Sequence, residues 1–169
     1  AIIPGLYAYE AGQPAVGDLF NYSKLHAPKT IIDKAQEKDI PILEYLECLA
    51  SNIAVEDQHG VILDWFNGNH SILSDSHLSR SIFGLTLHTP YEMIHRAYIE
   101  ATAFGTKMIM KQFEDNQIPV HTVYASGGIP QKSKLLVEIY ANILNKKVVV
   151  LESSNATALG AAMLGANVG

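Results

Sequence analysis

The clearest pattern along the chain is a run of apolar residues at 120–125 that stops at the glycine pair 127–128. Helically spaced apolar positions follow over 131–145, and a second apolar run, rich in valine, lies at 146–151. Short apolar runs bounded by turn residues predict strands, whereas a 3.6-residue period predicts a helix. A final helix of small residues is predicted at 156–168. The order strand, helix, strand, helix is typical of an α/β fold.

The first half of the chain is predicted to be mainly helical, with two short apolar runs at 60–63 and 81–87 that indicate strands. A longer helix is predicted to start at Thr89 and to end near residue 115. Thr89 and Glu92 match a capping box, and Pro90 fits the first helical position because it has no N–H to donate.

The glycine pair forms the most informative local pattern. A strand that feeds two glycines and then a helix makes a turn that no bulky side chain obstructs, because glycine adopts positive φ and permits close approach. The unpaired N–H groups and partial positive charge of a helix start suit phosphate oxygens. The pattern matches neither G-x-G-x-x-G nor G-x-x-x-x-G-K-[ST]. These residues alone therefore fit a phosphate-binding turn and a purely structural turn equally well.

Composition narrows the class of protein. The 169 residues are 48% hydrophobic with a net charge of −5, which predicts one well-packed soluble domain. Scattered Lys and Arg argue against nucleic-acid binding, and no apolar run has membrane-spanning length. The single cysteine, Cys48, fits a reducing cytoplasm, and its apolar helical context predicts burial. A start without Met or a basic n-region suggests a piece of a larger protein, or simple Met removal, and argues against a signal peptide.

Titratable residues show no spacing typical of a metal site or a catalytic centre. The seven histidines form no H-E-x-x-H pattern, so we predict surface or structural roles for them and no metal site. Asp18 falls inside a predicted helix and is best interpreted as a solvated carboxylate. Glu100 falls on the apolar face of the long helix, where a carboxylate needs a partner, and a structural acceptor is favoured over a ligand contact. No catalytic acid or base is therefore predicted.

Six stretches together resemble the FGGY family of carbohydrate kinases, and most closely its L-ribulokinase subfamily. In chain order they are Y-E-A-G-Q-P-A-V-G-D at 9–18, D-W-F-N-G-N-H-S at 64–71, G-L-T-L at 84–87, I-E-A-T-A-F-G-T at 99–106, A-S-G-G-I-P-Q-K at 125–132 and T-A-L-G-A-A at 157–162. Each is unspecific alone, but together they cover nearly the whole chain in the family's order. Arg80 departs from the family pattern, which usually has a small residue there.

The resemblance implies an actin-like ATPase fold of the ribonuclease H-like type, with a mixed sheet flanked by helices. Residues 1–169 would form its single C-terminal nucleotide-binding lobe, a fragment of a two-lobed sugar kinase. ATP and Mg²⁺ are the implied cofactors. Gly128 would meet the phosphates and Lys132 would be a polar contact of the nucleotide. The full set of implied nucleotide-binding residues is Gly12, Val16, Gly127, Gly128, Gln131 and Lys132.

The implied activity is transfer of the ATP γ-phosphate to a pentulose, with L-ribulose the expected acceptor and L-ribulose 5-phosphate the product. The family's catalytic Asp and most sugar contacts belong upstream of Ala1, so the isolated chain is expected to be inactive. The resemblance also implies that the sugar would bind through the N-terminal lobe and that the helix at 157–162 would lie between the lobes. A homodimer is compatible with this assignment.

Two alternatives from other classes stay open. The first is a non-catalytic lobe of an actin-like ATPase whose nucleotide state controls partner binding. The stretch at 64–71 argues against it, because it resembles the sugar kinases. The second is a doubly wound module that binds a dinucleotide. The missing G-x-G-x-x-G and ribose-binding acid argue against that one.

Overall fold

The structure, a computed structural model, describes residues 5–55, 60–153 and 155–166. Its helices are α1 (Val16–Leu25), α2 (Lys29–Glu37), α3 (Ile42–Ser51), α4 (Tyr91–Asp115), α5 (Gly128–Lys132), α6 (Lys134–Leu144) and α7 (Ala156–Ala166). Its strands are β1 (Val61–Ile62), β2 (Ile82–Phe83), β3 (Thr122–Ala125) and β4 (Lys147–Val150). The second half follows the predicted order of strand, helix, strand and helix, which confirms the α/β class.

The strands pair in two small sheets within the described ranges. Strands β3 and β4 are parallel, with Thr122 opposite Lys147 and Ala125 opposite Val150. Strands β1 and β2 are antiparallel. The expected mixture of parallel and antiparallel pairing is present, divided between two two-stranded sheets. Because β3 and β4 run in the same direction, their carboxyl ends meet at one edge, and the glycine turn follows β3 at that edge.

The 25-residue helix α4 is the centre of the core and packs against α1, α3, α6 and β1. Its small residues Ala97, Ala101 and Ala103 are buried, which lets the neighbouring elements approach its backbone closely. Ile99 is only 1% exposed and packs in one cluster with Phe20 of α1. The elements that carry the candidate site are therefore fixed against a single helix.

Two helix starts differ from the sequence prediction. Pro90, not Thr89, is the N-cap residue of α4, and no side chain caps that end. The Thr89 hydroxyl instead accepts a hydrogen bond from the backbone N–H of Thr86 at 2.9 Å, so the predicted capping box is wrong. The helix predicted over 131–145 is divided at Ser133, whose extended backbone ends α5 and whose hydroxyl caps α6.

Cys48 is exposed, so its predicted burial is wrong. The buried positions of α3 include Leu46 and Ala50, which lie four residues apart and therefore on one face of the helix. Cys48 is two positions from each of them, about 200° around the helix axis, and lies on the opposite face. The prediction was wrong because it relied on the apolar composition of the whole segment and did not distinguish its two faces.

Arg80, the residue that departs from the family pattern, has an aromatic setting. Its guanidinium carbon lies 4.7 Å from the ring centroid of Tyr22 and 4.8 Å from that of Phe66. Both rings also contact Tyr98 of α4 edge to face, and burial raises the pKa of Tyr98 to about 12. A cation over two aromatic faces is attracted by their negative charge. Arg80 therefore helps to hold the loop that follows β1 against α1.

Helix α7 has no buried residue in its described length. More than half of the surface of Leu159, Met163 and Leu164 is exposed, and a Cβ at Gly160 would meet no atom within 4 Å. The predicted role of this helix between lobes stays a prediction, and its predicted end at Val168 lies outside the described residues. None of the described helices is long and apolar enough to cross a membrane.

Candidate nucleotide site

The glycine turn lies where β3 and β4 end together. The backbone N–H of Leu151 donates to the Ala125 carbonyl at 2.9 Å, which holds the two strand ends side by side. Gly127 has φ 100° and ψ 177°, a conformation that is essentially restricted to glycine. Gly128 lies outside the positive-φ region, and a Cβ there would meet no atom within 4 Å. The expectation of a backbone that only glycine can adopt therefore holds for Gly127 and not for Gly128.

The helix after the turn is shorter than the sequence suggested. Helix α5 has five residues, and the 11-residue helix α6 begins only after Ser133. A helix of little more than one turn has few aligned peptide dipoles, so the expected positive helix end is weak here. Lys132, the last residue of α5, supplies a full positive charge at the same segment.

Two cavities adjoin the turn, and both are lined by Gly128 and Ile129. The smaller one, which we call the turn cavity, has a volume of about 300 Å³. The larger one, the inter-helix cavity, has a volume of about 840 Å³ and lies between α1, α3 and the α5–α6 segment. Small-molecule sites usually measure roughly 300–1,000 Å³. The inter-helix cavity therefore has the room that a nucleotide requires.

The inter-helix cavity has a mixed set of polar groups. Its charged and polar lining residues are Asn21, Glu44, Glu47, His95, Lys132 and Ser133. Burial raises the pKa of Glu47, and a hydrogen bond with Ser133 opposes that shift. The negative charge of Glu44 adds to the rise in the pKa of Glu47. The cavity thus combines one lysine beside the glycine turn with two carboxyl groups on α3.

The structure brings together four of the six predicted nucleotide-binding residues. Val16, Gly127 and Gly128 line the turn cavity. Gly128 also lines the inter-helix cavity, together with Lys132. These contacts place the start of α1 beside the glycine turn, as the resemblance implied, but whether they bind a nucleotide stays a prediction. The other two residues, Gly12 and Gln131, line neither of these two cavities.

Gly12 lines a third cavity of about 210 Å³, the loop cavity, which Asp64 and Trp65 also line. Its backbone N–H donates to the hydroxyl of Ser71 at 2.5 Å, and that hydroxyl donates to the Gly12 carbonyl at 2.7 Å. These bonds fasten the segment before α1 to the loop after β1. Gly12 therefore has a structural role away from the glycine turn, and its predicted contact with the nucleotide stays a prediction.

Gln131 has its amide bound to backbone. Its Nε2 donates to the carbonyl oxygens of Leu151 and Glu152, at 2.9 Å each. Both acceptors follow β4, so Gln131 holds the chain after β4 against α5. These bonds help to fix the position of the turn, and the predicted contact of Gln131 with the nucleotide stays a prediction.

Asn21, Glu47 and His95 line the inter-helix cavity but were not predicted as site residues. Asn21 lies four positions after Gly17, which also lines this cavity, so both residues fall on one face of α1. Glu47 and His95 gave no local signal, because α3 and α4 reach the cavity only through tertiary packing.

Gln13 connects the loop cavity to the core. Its Nε2 donates to the Asp64 carboxylate and, at 2.9 Å, to the Thr102 carbonyl, while its Oε1 accepts from Thr106 at 2.9 Å. Gly105 makes room for this arrangement, since a Cβ there would collide with the ends of both Gln13 and Asp64. Burial raises the pKa of Asp64, and the bond with Gln13 opposes that rise.

Replacing Gln13 with alanine is expected to lower the free energy of unfolding by about 2 kcal/mol, because the partly buried Asp64 carboxylate and Thr106 hydroxyl each lose a hydrogen bond. Urea unfolding followed by circular dichroism measures this. Gln112→Ala, at an exposed position of α4, is the matched control and should change stability by less than about 0.5 kcal/mol. Equal effects of the two substitutions would contradict the structural importance of Gln13.

The two carboxylates considered as catalytic candidates have structural or solvent-exposed settings. Glu100 accepts a hydrogen bond from Arg96 Nε at 2.9 Å, and Arg96 also donates to the Ile53 carbonyl at 2.6 Å. This pairing supports the structural role favoured for Glu100. Asp18 is exposed on α1, in agreement with a solvated carboxylate.

Comparison with known proteins identifies the family. Residues 1–167 match the profile of the C-terminal domain of the FGGY family of carbohydrate kinases. A ribulokinase of Staphylococcus epidermidis (strain ATCC 12228 / FDA PCI 1200) is 81% identical over 169 residues, which are 100% of this chain and 32% of that protein. A ribulokinase of Staphylococcus aureus (strain Newman) is 52% identical over 166 residues, 98% of this chain and 30% of that protein. The chain thus spans about a third of the length of these relatives.

Solved structures show the same fold. A ligand-bound xylulose kinase from Lactobacillus acidophilus superposes with a TM-score of 0.71 at 21% identity, over 88% of this chain and 28% of that one. A glycerol kinase from Plasmodium falciparum, solved with ADP, gives a TM-score of 0.67 at 24% identity, over 88% and 27% of the two chains. The actin-like fold prediction is confirmed, and the alternative of an ATPase lobe that only controls partner binding is not favoured. The chain belongs to the FGGY family of carbohydrate kinases and matches its C-terminal domain.

Proposed function

We propose that residues 1–169 are the nucleotide-binding C-terminal lobe of a two-lobed, ATP-dependent sugar kinase. The observation that carries the proposal is the glycine turn at the joint end of β3 and β4, beside a cavity of about 840 Å³ with Lys132 in its wall. Ligands of open α/β sheets bind beyond the carboxyl ends of the strands, which is where this turn lies. The family match agrees with a nucleotide as the ligand.

The distribution of charge suggests how the nucleotide is oriented. Phosphates are expected beside Gly128 and Lys132, where the backbone is unobstructed and a positive charge is present. The carboxyl groups of Glu44 and Glu47 on α3 would repel phosphates, so the uncharged ribose and base belong on that side. Asn21, on α1, offers both a donor and an acceptor to such groups.

We further propose that the sugar is a pentulose, with L-ribulose converted to L-ribulose 5-phosphate by the γ-phosphate of ATP. Support comes from the relatives at 81% and 52% identity, which are named ribulokinases. Phosphoryl transfer depends on positioning and charge stabilisation around the phosphates. One lobe supplies one wall of such a site and does not exclude water, and neither Asp18 nor Glu100 is placed to remove a proton from a sugar. As the resemblance to the family implies, the base is assigned to the N-terminal lobe, and the isolated chain is expected to be inactive.

Mg²⁺ is proposed as a companion of the ATP phosphates. Within the described ranges, no group of three His, Cys, Asp or Glu side chains is placed to hold a metal ion, so these residues do not form a resident metal site. Mg²⁺ commonly binds through phosphates and one or two carboxylates.

The cytoplasm is the proposed location, since the lone Cys48 fits a reducing compartment and the relatives are metabolic kinases. A homodimer stays a prediction.

The proposal is tested by following ADP release from the 169-residue chain and from a chimera. In the chimera the chain replaces the matching C-terminal third of the S. epidermidis ribulokinase, to which it is 81% identical. Each is offered L-ribulose, D-ribulose, D-xylulose and glycerol. The chain alone should release no ADP with any sugar, and the chimera should prefer L-ribulose.

Each part of the proposal has its own contrary result. Sugar-dependent ADP release by the chain alone would refute the division of the site between two lobes. A chimera that prefers glycerol or D-xylulose would refute the sugar assignment while the kinase class stands. The unmodified S. epidermidis enzyme, assayed in parallel, shows that the conditions support turnover.

A further inference from the structure

Glu47 is a half-buried carboxyl group in the wall of the inter-helix cavity. Its neighbour on α3, Glu44, lines the same cavity but is exposed. Burial is the main cause of the raised pKa of Glu47, so this carboxyl group has lost part of its water. A carboxylate that has lost water is stabilised by hydrogen-bond donors, and Ser133 supplies one. Because its two oxygens have about four acceptor sites, the group has room for donors from a ligand.

The contact with Ser133 places Glu47 about one ribose length from the glycine turn. Ser133 directly follows α5, which begins at Gly128, so the two residues are separated by roughly 7 Å along the helix axis. The α-phosphate of a nucleotide and its ribose hydroxyls are a comparable distance apart. With the phosphates at Gly128, the ribose therefore falls beside Glu47. The flexible four-carbon stem of Lys132 lets its ammonium group lie with the phosphates, although its backbone adjoins Ser133.

We propose that the Glu47 carboxylate accepts hydrogen bonds from the ribose hydroxyls of the bound nucleotide and thereby selects ribonucleotides over 2′-deoxyribonucleotides. The inference rests on the proposed function of the cavity. Two neighbouring hydroxyls offer two donors to the two oxygens of one carboxylate, and an acidic side chain binds ribose in the same way in dinucleotide-binding folds. A nucleotide without the 2′-hydroxyl leaves part of this half-buried carboxylate without a donor. A site that hydrogen-bonds a ligand hydroxyl discriminates against the analogue that lacks it.

The experiment compares the wild-type chain with Glu47→Met, which removes both carboxylate oxygens and keeps a side chain of similar length. Isothermal titration measures the affinity of each for the Mg²⁺ complexes of ATP, 2′-deoxyATP and tripolyphosphate. The wild type should bind ATP about tenfold more tightly than 2′-deoxyATP, the effect of one hydrogen bond to a charged group, and Glu47→Met should bind the two equally. Tripolyphosphate, which has no ribose, should bind the variant no more weakly than the wild type. Glu138→Met, at an exposed glutamate of α6, is the matched control and should keep the tenfold ratio.

Three results would each overturn the inference and leave the proposed function standing. Equal affinity of the wild type for ATP and 2′-deoxyATP would show that the site does not recognise the 2′-hydroxyl, and this comparison does not depend on whether a variant folds. A tenfold ratio that persists in Glu47→Met would assign the recognition to another residue. Weaker binding of tripolyphosphate–Mg by Glu47→Met would show that Glu47 holds Mg²⁺, which commonly binds through phosphates and carboxylates. A wild-type chain that fails to bind ATP would overturn both the inference and the proposed function.

Discussion

Replacing Gly128 with valine is expected to weaken ATP–Mg binding by at least about 100-fold and to leave the melting temperature nearly unchanged. The binding loss is expected because Gly128 lines both cavities at the turn, where a branched side chain would occupy the space of the phosphates. The fold is expected to survive because a Cβ at Gly128 meets no atom within 4 Å and φ there is compatible with other residues. Isothermal titration and thermal unfolding measure the two effects separately.

Two matched substitutions separate obstruction of the site from damage to the fold. Gly160→Val makes the same change in α7, where a Cβ also meets no atom within 4 Å, and should leave ATP binding intact. Gly127→Val forces a residue with a side chain into φ 100°, so it should lower stability by about 1–3 kcal/mol as well as affinity. If Gly128→Val binds ATP as tightly as the wild type, the glycine pair has only a structural role.

The sequence predicted those parts of the fold that local patterns determine. Strands β3 and β4 and the long helix α4 follow from apolar runs and helical periodicity, and each lies within a few residues of its predicted bounds. The glycine turn was found because strand, glycine pair and helix are adjacent in sequence. The six family motifs together predicted the kinase class, which no single local pattern indicated.

What the sequence did not predict depends on competition between interactions or on distant packing. Ser133 divides one predicted helix because its hydroxyl caps α6, and the spacing of apolar residues does not show where such a cap forms. Thr89 fits a capping box, but its hydroxyl accepts from Thr86 instead. Glu47 and His95 reach the inter-helix cavity only because α3 and α4 pack together, more than 40 positions apart in sequence. No local pattern in a single sequence predicts such a contact between distant helices.

The buried His95 is expected to make the fold sensitive to acid between pH 6.5 and pH 4. Its pKa in the folded chain is about 4, below the ordinary value of 6.5, because burial disfavours the charged ring. In this window the unfolded chain binds a proton that the folded chain does not, so stability falls as the pH falls. The stabilisation is complete above pH 6.5 and lost by pH 4, and the expected total is about 3 kcal/mol.

Urea unfolding at pH 7.5, 6.0, 5.0 and 4.0 measures this loss, and the double variant His95→Phe with Ser23→Ala isolates the part due to His95. His95 Nδ1 lies 2.8 Å from Ser23 Oγ, and replacing both members of this pair avoids leaving the Ser23 hydroxyl buried without a partner, whose cost would obscure the comparison. The carboxylates titrate equally in both proteins, so their contribution cancels in the difference. The wild type should lose about 3 kcal/mol more than the double variant over this range. Parallel losses in the two proteins would show that His95 is protonated equally in the folded and unfolded chains, and that its burial does not control acid stability.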